Sequence, residues 1–358
     1  MREPPPPRRW PSLRGLPLRS LLPLLAATLL LGWGGWAVWG SGESGLPDSL
    51  LGSDSTPRAP SGDTLPEPVR QQLLVDLSVL AHDSMEGRRA GSEGSARARR
   101  YLVEEFASRG VNPLGPEGLL HPFPLNQGGG QGALGYNLIG VIPGTRFPGR
   151  FILIGAHYDH LGIRGGAIYN GADDNASGTA ALLAIGRILA EDPLSHTLLI
   201  VAFDAEEMGL LGARAFTQAP PVPLDSIALM VNLDMISRSD SRELYAAGGH
   251  HYPYLVPLID EAGEASPIHL LRGHDAPGLP PGDDWTLASD HGPFHQAGVP
   301  FVYFGVEDHP GYHDPSDTFE AIHPEFYTEA VTTILAFLRI ADREGEALLR
   351  RAPPGGFR

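Results

Sequence analysis

Several ionisable residues follow apolar runs. FILIGA (151–156) runs into His157, Asp159 and His160, LLIVAF (198–203) into Asp204, Glu206 and Glu207, and ALMVNL (228–233) into Asp234. A further acidic pair, Asp173 and Asp174, lies in GADDNASG (171–178), and His313 follows the last apolar run. Taken singly, each has an ordinary reading. An Asp that opens a helix is usually an N-cap, adjacent glutamates usually form a solvated face, and a lone His is usually surface or satisfied core. Those readings leave the common placement unaccounted for, because separate segments bring carboxylates and imidazoles to one sheet edge. Crowded acids raise one another's pKa values, and a bound dication would relieve the repulsion. The chain has no Cys, so any ligands are His and carboxylate, a set that suits zinc, with manganese or cobalt also open.

The elements that must position these groups are legible from periodicity. Glu67–His82 and Ser95–Arg109 carry helical apolar spacing, the second stopped by Gly110. Asn137–Ile142, Arg150–Gly155, Thr197–Phe203, Ile227–Leu233 and Pro300–Phe304 read as strands, with a helix over Asn175–Glu191 between the second and third. That order predicts an α/β fold, a mostly parallel central sheet with helices on both faces. In such sheets ligands bind at the carboxyl ends of the strands, where the ionisable groups fall. The Gly-, Pro- and Asp-rich stretch His269–Asp284 reads as a long loop at the pocket mouth.

HYDHLG (157–162), GADDNASG (171–178), AFDAEEMGLLGA (202–213), NLDMI (232–236), SDHGPF (289–294) and YHDPSDT (312–318) together resemble the bacterial di-zinc aminopeptidase family, which includes secreted aminopeptidases of the Vibrio and Streptomyces type. MEGRRAGSEG (85–94) is similar to segments upstream of the family's catalytic core, and the resemblance covers nearly all of residues 67–340. It implies a zinc-exopeptidase fold and two Zn2+ acting on a peptide substrate. His157 and Asp234 would hold one ion, Glu207 and His313 the other, and Asp174 would bridge them. Asp159 would fix the tautomer of His157, and Glu206 would be the general base for a water shared by the two ions. A cis peptide bond at Asp174–Asn175 is also implied. His291 and His295 are expected to pack or support, His250 and His251 to lie on a loop surface, and Pro310 and Gly311 exclude a helical metal pair of His309 with His313.

The same resemblance leaves rivals. A glutaminyl cyclase-like enzyme shares several motifs but uses one zinc; the double acid and the intact His-x-Asp favour two. A non-catalytic ectodomain would have lost ligands, and none is missing. A carboxypeptidase would need an Arg to capture a free carboxylate, with Arg164, Arg238 and Arg272 as candidates.

Formal net charge is −16 over 358 residues, which argues against nucleic acid as a partner. Residues 1–19 are Pro- and Arg-rich, and the uncharged stretch 20–40 is close to the ~20 residues that span a bilayer, with Trp33, Trp36 and Trp39 at its far end. The sequence therefore predicts a cytoplasmic basic segment (1–19) and a transmembrane anchor or a cleaved signal sequence (20–40). A flexible linker (41–66), a catalytic domain (67–345) held outside the membrane, and a tail (346–358) would follow.

Overall fold

The computed structural model describes residues 64–115, 118–125, 132–280 and 282–351. The expected anchor, nearly all of the linker and the end of the tail lie outside these residues. Among the described residues no helix is long and apolar enough to cross a membrane. The helices are α1 (Glu67–Leu80), α2 (Glu93–Ser108), α3 (Gly178–Glu191), α4 (Leu211–Gln218), α5 (Val256–Glu264), α6 (His291–Gln296) and α7 (Pro324–Arg351). The last runs past the expected domain end at 345. The strands are β1 (Asn112–Pro113), β2 (Leu120–Pro124), β3 (Leu134–Ile142), β4 (Phe147–His157), β5 (Gly162–Arg164), β6 (Ala167–Tyr169), β7 (His196–Phe203), β8 (Ile227–Leu233), β9 (Glu243–Ala247), β10 (His269–Arg272) and β11 (Phe301–Gly305).

The main sheet has the order β1-β3-β7-β4-β8-β11-β9-β10, with β2 also on β3. Only its centre is the parallel array that the sequence predicts: β7, β4, β8 and β11 run parallel. Towards the edges, β1, β2 and β3 join antiparallel, as does β9 against β11. For β2 and β3 the link is shorter than the dozen or more residues that a parallel crossover needs, so that pair can only be antiparallel. The expected loop 269–284 likewise begins with an edge strand, β10, parallel to β9.

Two helical layers cover the sheet, and the pleat separates them. Ile200 of β7 points towards α3, where a Cβ on Gly186 would lie 3.1 Å from its Cδ1. Phe203, three residues on and therefore on the opposite face, packs against Phe216 of α4 and Phe294 of α6, with ring centroids 6.3 and 6.0 Å away. Helix α3 is buried over most of its circumference, including Leu182, Ile185 and Leu189. Each such side chain contributes roughly 1.5–3 kcal/mol by leaving water. Helix α7 is pinned to the start of β7 by Asp342, whose carboxylate accepts from the backbone amides of Ser195 and His196 and lies 2.8 Å from His196 Nδ1.

Candidate metal centre

Register sets the first contact of the site. His157 ends β4 opposite Phe203 of β7, and Gly155 lies opposite Asn232 of β8. Continuing that register by two residues brings Asp234 level with His157. Strand β4 is thus flanked by the strand that leads to Glu206 and Glu207 and by the strand that leads to Asp234. The chain leaves β4 for a neighbour on one side and then for one on the other, so the crevice forms at this switch point.

His157 Nε2 lies 3.2 Å from Asp234 Oδ1 and 3.3 Å from Asp174 Oδ1. The other oxygen of Asp174, Oδ2, lies 3.1 Å from His313 Nε2 and 3.6 Å from His160 Nδ1. Glu207 completes that second group, with Oε2 3.5 Å from His313 Nε2 and Oε1 2.7 Å from His160 Nδ1. Asp174 therefore faces two clusters, one through each carboxylate oxygen. In each of the trios His157–Asp174–Asp234 and His160–Asp174–Glu207, one ligand atom per residue lies within 4.8 Å of the others.

The donor set fits divalent metal. Both ring nitrogens of His160 and Oε1 of Glu207 are buried without a hydrogen-bond partner, although the two residues approach to 2.7 Å. Such close but misdirected atoms suit ligands converging on an ion. His157 Nδ1 lies 3.1 Å from the backbone oxygen of Asp159. A carbonyl can only accept, so Nδ1 donates and Nε2 is left to face the acids. This corrects one expectation. The tautomer is set by the carbonyl of Asp159, while its carboxylate stands 3.8 Å from Nδ1 and accepts instead from the Glu206 amide at 3.0 Å.

The electrostatics follow from crowding. Burial works to raise the Asp174 carboxyl, but His160, His157 and His313 hold it well below the usual range. His313, hydrogen-bonded to Asp174 and then Glu207, is raised to about 10. Burial lowers His157, yet Asp234, Glu206 and the hydrogen bonds from Asp174 and Asp234 push it well above its ordinary value. The field that keeps protons on these imidazoles would equally attract a dication, which displaces them. Glu206 is driven well above its ordinary value by burial, against the pull of His157 and with Asp234, Asp290 and Glu207 adding to the rise.

Of the acidic pair in GADDNASG, Asp173 turns away from the centre. Its carboxylate accepts from the amide and hydroxyl of Ser237, both at 2.7 Å, and lies 3.0 Å from His309 Nε2. Asp317 receives the amides of Asp173 and Asp174 at 3.0 Å each. The Asp174–Asn175 peptide is cis, as the resemblance implies. Helix α3 starts at Gly178, three residues later than expected, because a distorted turn over Ala172–Ser177 places the acids.

Sequence reasoning missed two residues. His160 stands beside the expected ligand Glu207 and could have been found from the second His of HYDH. Asp290, in SDHGPF, is fully buried with neither oxygen hydrogen-bonded, and burial raises it to about 7. The remaining histidines support the fold. His291, lowered by burial to about 3, sits 2.7 Å from the Trp285 carbonyl. His295 lies 2.7 Å from the Tyr252 hydroxyl. His250 is exposed as expected, but His251 is half-buried, 2.9 Å from Thr286 Oγ1, because its ring packs on His295. His309 is held in a loop and serves Asp173.

Among the candidate arginines, Arg272 pairs with Asp260 and Arg164 lies over the Tyr169 ring. Arg238 lines a cavity of about 250 Å3 together with Asp240, Glu243, Glu307 and His309. The stretch after β10 reaches this cavity, since His274 stacks on Trp285 and pairs with Glu307 at 3.1 Å.

The family profile described as Peptidase family M28 matches residues 137–338, more than half of the chain. Aminopeptidase YwaD of Bacillus subtilis is 30% identical over 197 residues, which is 52% of this chain and 40% of that protein. A zinc aminopeptidase from Bacillus subtilis, BSAP, superposes with a TM-score of 0.60 at 18% identity, over 75% of this chain and 94% of that one. A glutaminyl cyclase of Bacteroides thetaiotaomicron bound to N-acetylhistamine gives 0.59 at 17%, over 78% and 99%. At these identities the structures establish the fold alone. The chain spans between 23% and 40% of the length of the first curated relatives it matches.

Proposed function

The chain belongs to peptidase family M28, and on that premise we propose that it is a two-zinc exopeptidase that removes residues from the amino end of peptides. The observation that carries this reading is Asp174, whose two oxygens face two separate ligand groups. His157 and Asp234 would hold one ion with Asp174. Glu207, His313 and His160 would hold the other. This second group favours the two-metal peptidase over a single-zinc cyclase. When bound, the zinc pair would lower the pKa of a shared water and polarise the scissile carbonyl.

The chain's own groups supply the rest. Glu206 is the proton carrier. Its carboxylate takes a proton from the attacking water and returns it to the leaving amine. In the metal-free centre burial raises this carboxyl; bound dications would pull it back down and leave it able to accept the proton of the attacking water. Asp159 orients both sides of the reaction, its carboxylate fixing the Glu206 amide and its carbonyl the His157 ring. Asp173 and Asp317 hold the Asp174 turn by hydrogen bonds, so the bridging carboxylate needs no rearrangement to meet its ligands.

The N-terminal segment completes the proposal. Residues 20–40 would anchor the chain or direct its export, and the Arg cluster before them would stay in the cytoplasm. The catalytic domain would then work outside the membrane, in a periplasmic or extracellular space.

The decisive experiment on the full chain measures bound metal and hydrolysis of aminoacyl-anilides, before and after chelation. About two zinc per chain, with activity lost on chelation and restored by zinc, is the expected result. Two metals without anilide hydrolysis would move the substrate towards blocked peptides or free carboxyl ends. Folded protein without bound metal would overturn the reading.

A further inference from the structure

The segment 85–94 contains none of the ligands, yet it contributes Arg88, a large side chain buried to 1% exposure. Its guanidinium makes four hydrogen bonds, all to backbone carbonyls. Nε donates to Tyr158 at 2.8 Å, Nη1 to Leu80 at 2.7 Å and to Asn170 at 2.6 Å, and Nη2 to Gly171 at 2.8 Å. These acceptors lie in particular places. Tyr158 sits between His157 and His160, Asn170 and Gly171 enter the turn that carries Asp174, and Leu80 ends α1.

We propose that Arg88, with Asp317 as its counterpart, is the positioning residue of the metal centre, tying the loop that bears His157 and His160 to the loop that bears Asp174 and so setting the separation of the two ligand groups. The inference rests on the metal reading above. The planar fork of an arginine fixes the relative positions of its acceptors, which a lysine ammonium cannot do. Arg88 grips the run 170–174 by its carbonyls, and Asp317 grips the same run by the amides of Asp173 and Asp174 at 3.0 Å. A cation on the carbonyls and an anion on the amides hold both sides of one short peptide.

The local backbone is shaped to deliver this side chain. Glu86, Gly87 and Arg88 all lie in the left-handed region, at φ 49°, 63° and 50°. A Cβ on Gly87 would come within 2.3 Å of the Tyr169 carbonyl and 2.7 Å of the Gly162 carbonyl. The turn therefore packs directly on the β5–β6 hairpin that leads from His160 to Asn170. Burial lowers Arg88 to about 10 while Asp174, Asp317, Asp159 and Glu207 pull it back up, so it stays charged at neutral pH and offsets part of the repulsion among those acids.

The test compares the full-length wild type with Arg88→Lys, Arg88→Met and Asp317→Asn, and with Arg109→Met as a control. Arg109 is a half-buried arginine whose partners, Asp76 and Glu105, lie outside the centre. Zinc affinity is measured by competition with a chromophoric chelator, and metal-free stability by urea unfolding in EDTA. The Arg88 and Asp317 variants are expected to bind zinc about 10–100-fold more weakly, with Lys failing to rescue. Arg109→Met is expected to lose metal-free stability at unchanged zinc affinity. Wild-type zinc affinity in Arg88→Lys, or an equal loss in Arg109→Met, would overturn the proposal. If neither Arg88 variant folds, unchanged affinity in Asp317→Asn overturns it. A wild-type chain that binds no zinc would instead overturn the metal reading beneath it.

Discussion

Asp173 and Asp174 are adjacent in the chain and do opposite work, so replacing each by Ala should give separable defects. Asp173 is fully buried. It accepts hydrogen bonds at 2.7 and 2.7 Å from Ser237 and faces His309 Nε2 at 3.0 Å. A hydrogen bond to a charged acceptor is worth roughly 1.5–3 kcal/mol, and such terms do not add fully. Removing one member of a buried charged cluster typically costs roughly 3–5 kcal/mol. For a domain of this size each kcal/mol moves the melting midpoint by about 2–4 °C, so Asp173→Ala should melt about 10 °C lower in EDTA. Asp174→Ala loses no hydrogen bond from Ser237 and should instead fail to retain the metal pair, because both ligand groups share it. Calorimetry in EDTA and metal analysis of purified protein read the two effects. Asp173→Ala melting within about 2 °C of wild type, or Asp174→Ala retaining about two zinc per chain, would refute the division of labour.

Glu206→Gln should keep its metal and lose turnover by roughly 10²–10⁴-fold; near wild-type hydrolysis would remove Glu206 as the base. His160→Ala, like Glu207→Ala and His313→Ala, should lower bound zinc from about two to about one per chain, and unchanged metal content would remove the residue from the ligand set. Asp342→Asn should cost roughly 1.5–3 kcal/mol at pH 7. Burial works to raise Asp342, but the hydrogen bonds from His196 and from the amides of Ser195 and His196 hold it below the ordinary carboxylate range. With the folded value depressed, the unfolded chain takes up the proton first as pH falls. The contribution is therefore whole above about pH 4 and is lost as pH drops through the lowered folded value. The gap between the urea midpoints of variant and wild type should narrow steadily as pH falls below about 4, and a gap that holds constant or widens on acidification would contradict this sign.

The amino-acid sequence by itself determined the elements and most of the centre. Apolar periodicity located α1, α2 and the central strands because helix and strand spacing are local properties. The proposed ligands His157, Glu207 and Asp234 stood out because each ends or closely follows a strand of the central parallel array, where such sheets bind, and the family resemblance implied their roles. Only the tertiary structure decided what depends on direction and on distant partners. The carbonyl of Asp159, not its carboxylate, meets His157. His160 swings back towards Glu207, and Arg88 reaches Tyr158 and Gly171 across 70 and 83 residues of chain. The antiparallel pairings of β1, β2 and β3 and of β9 with β11 were equally hidden, because the direction in which a strand joins depends on the path of the chain between strands and not on the strand's own spacing. Spacing in the chain says which residues arrive at a sheet edge; which atom of each faces its neighbour is fixed only when segments remote in sequence pack together.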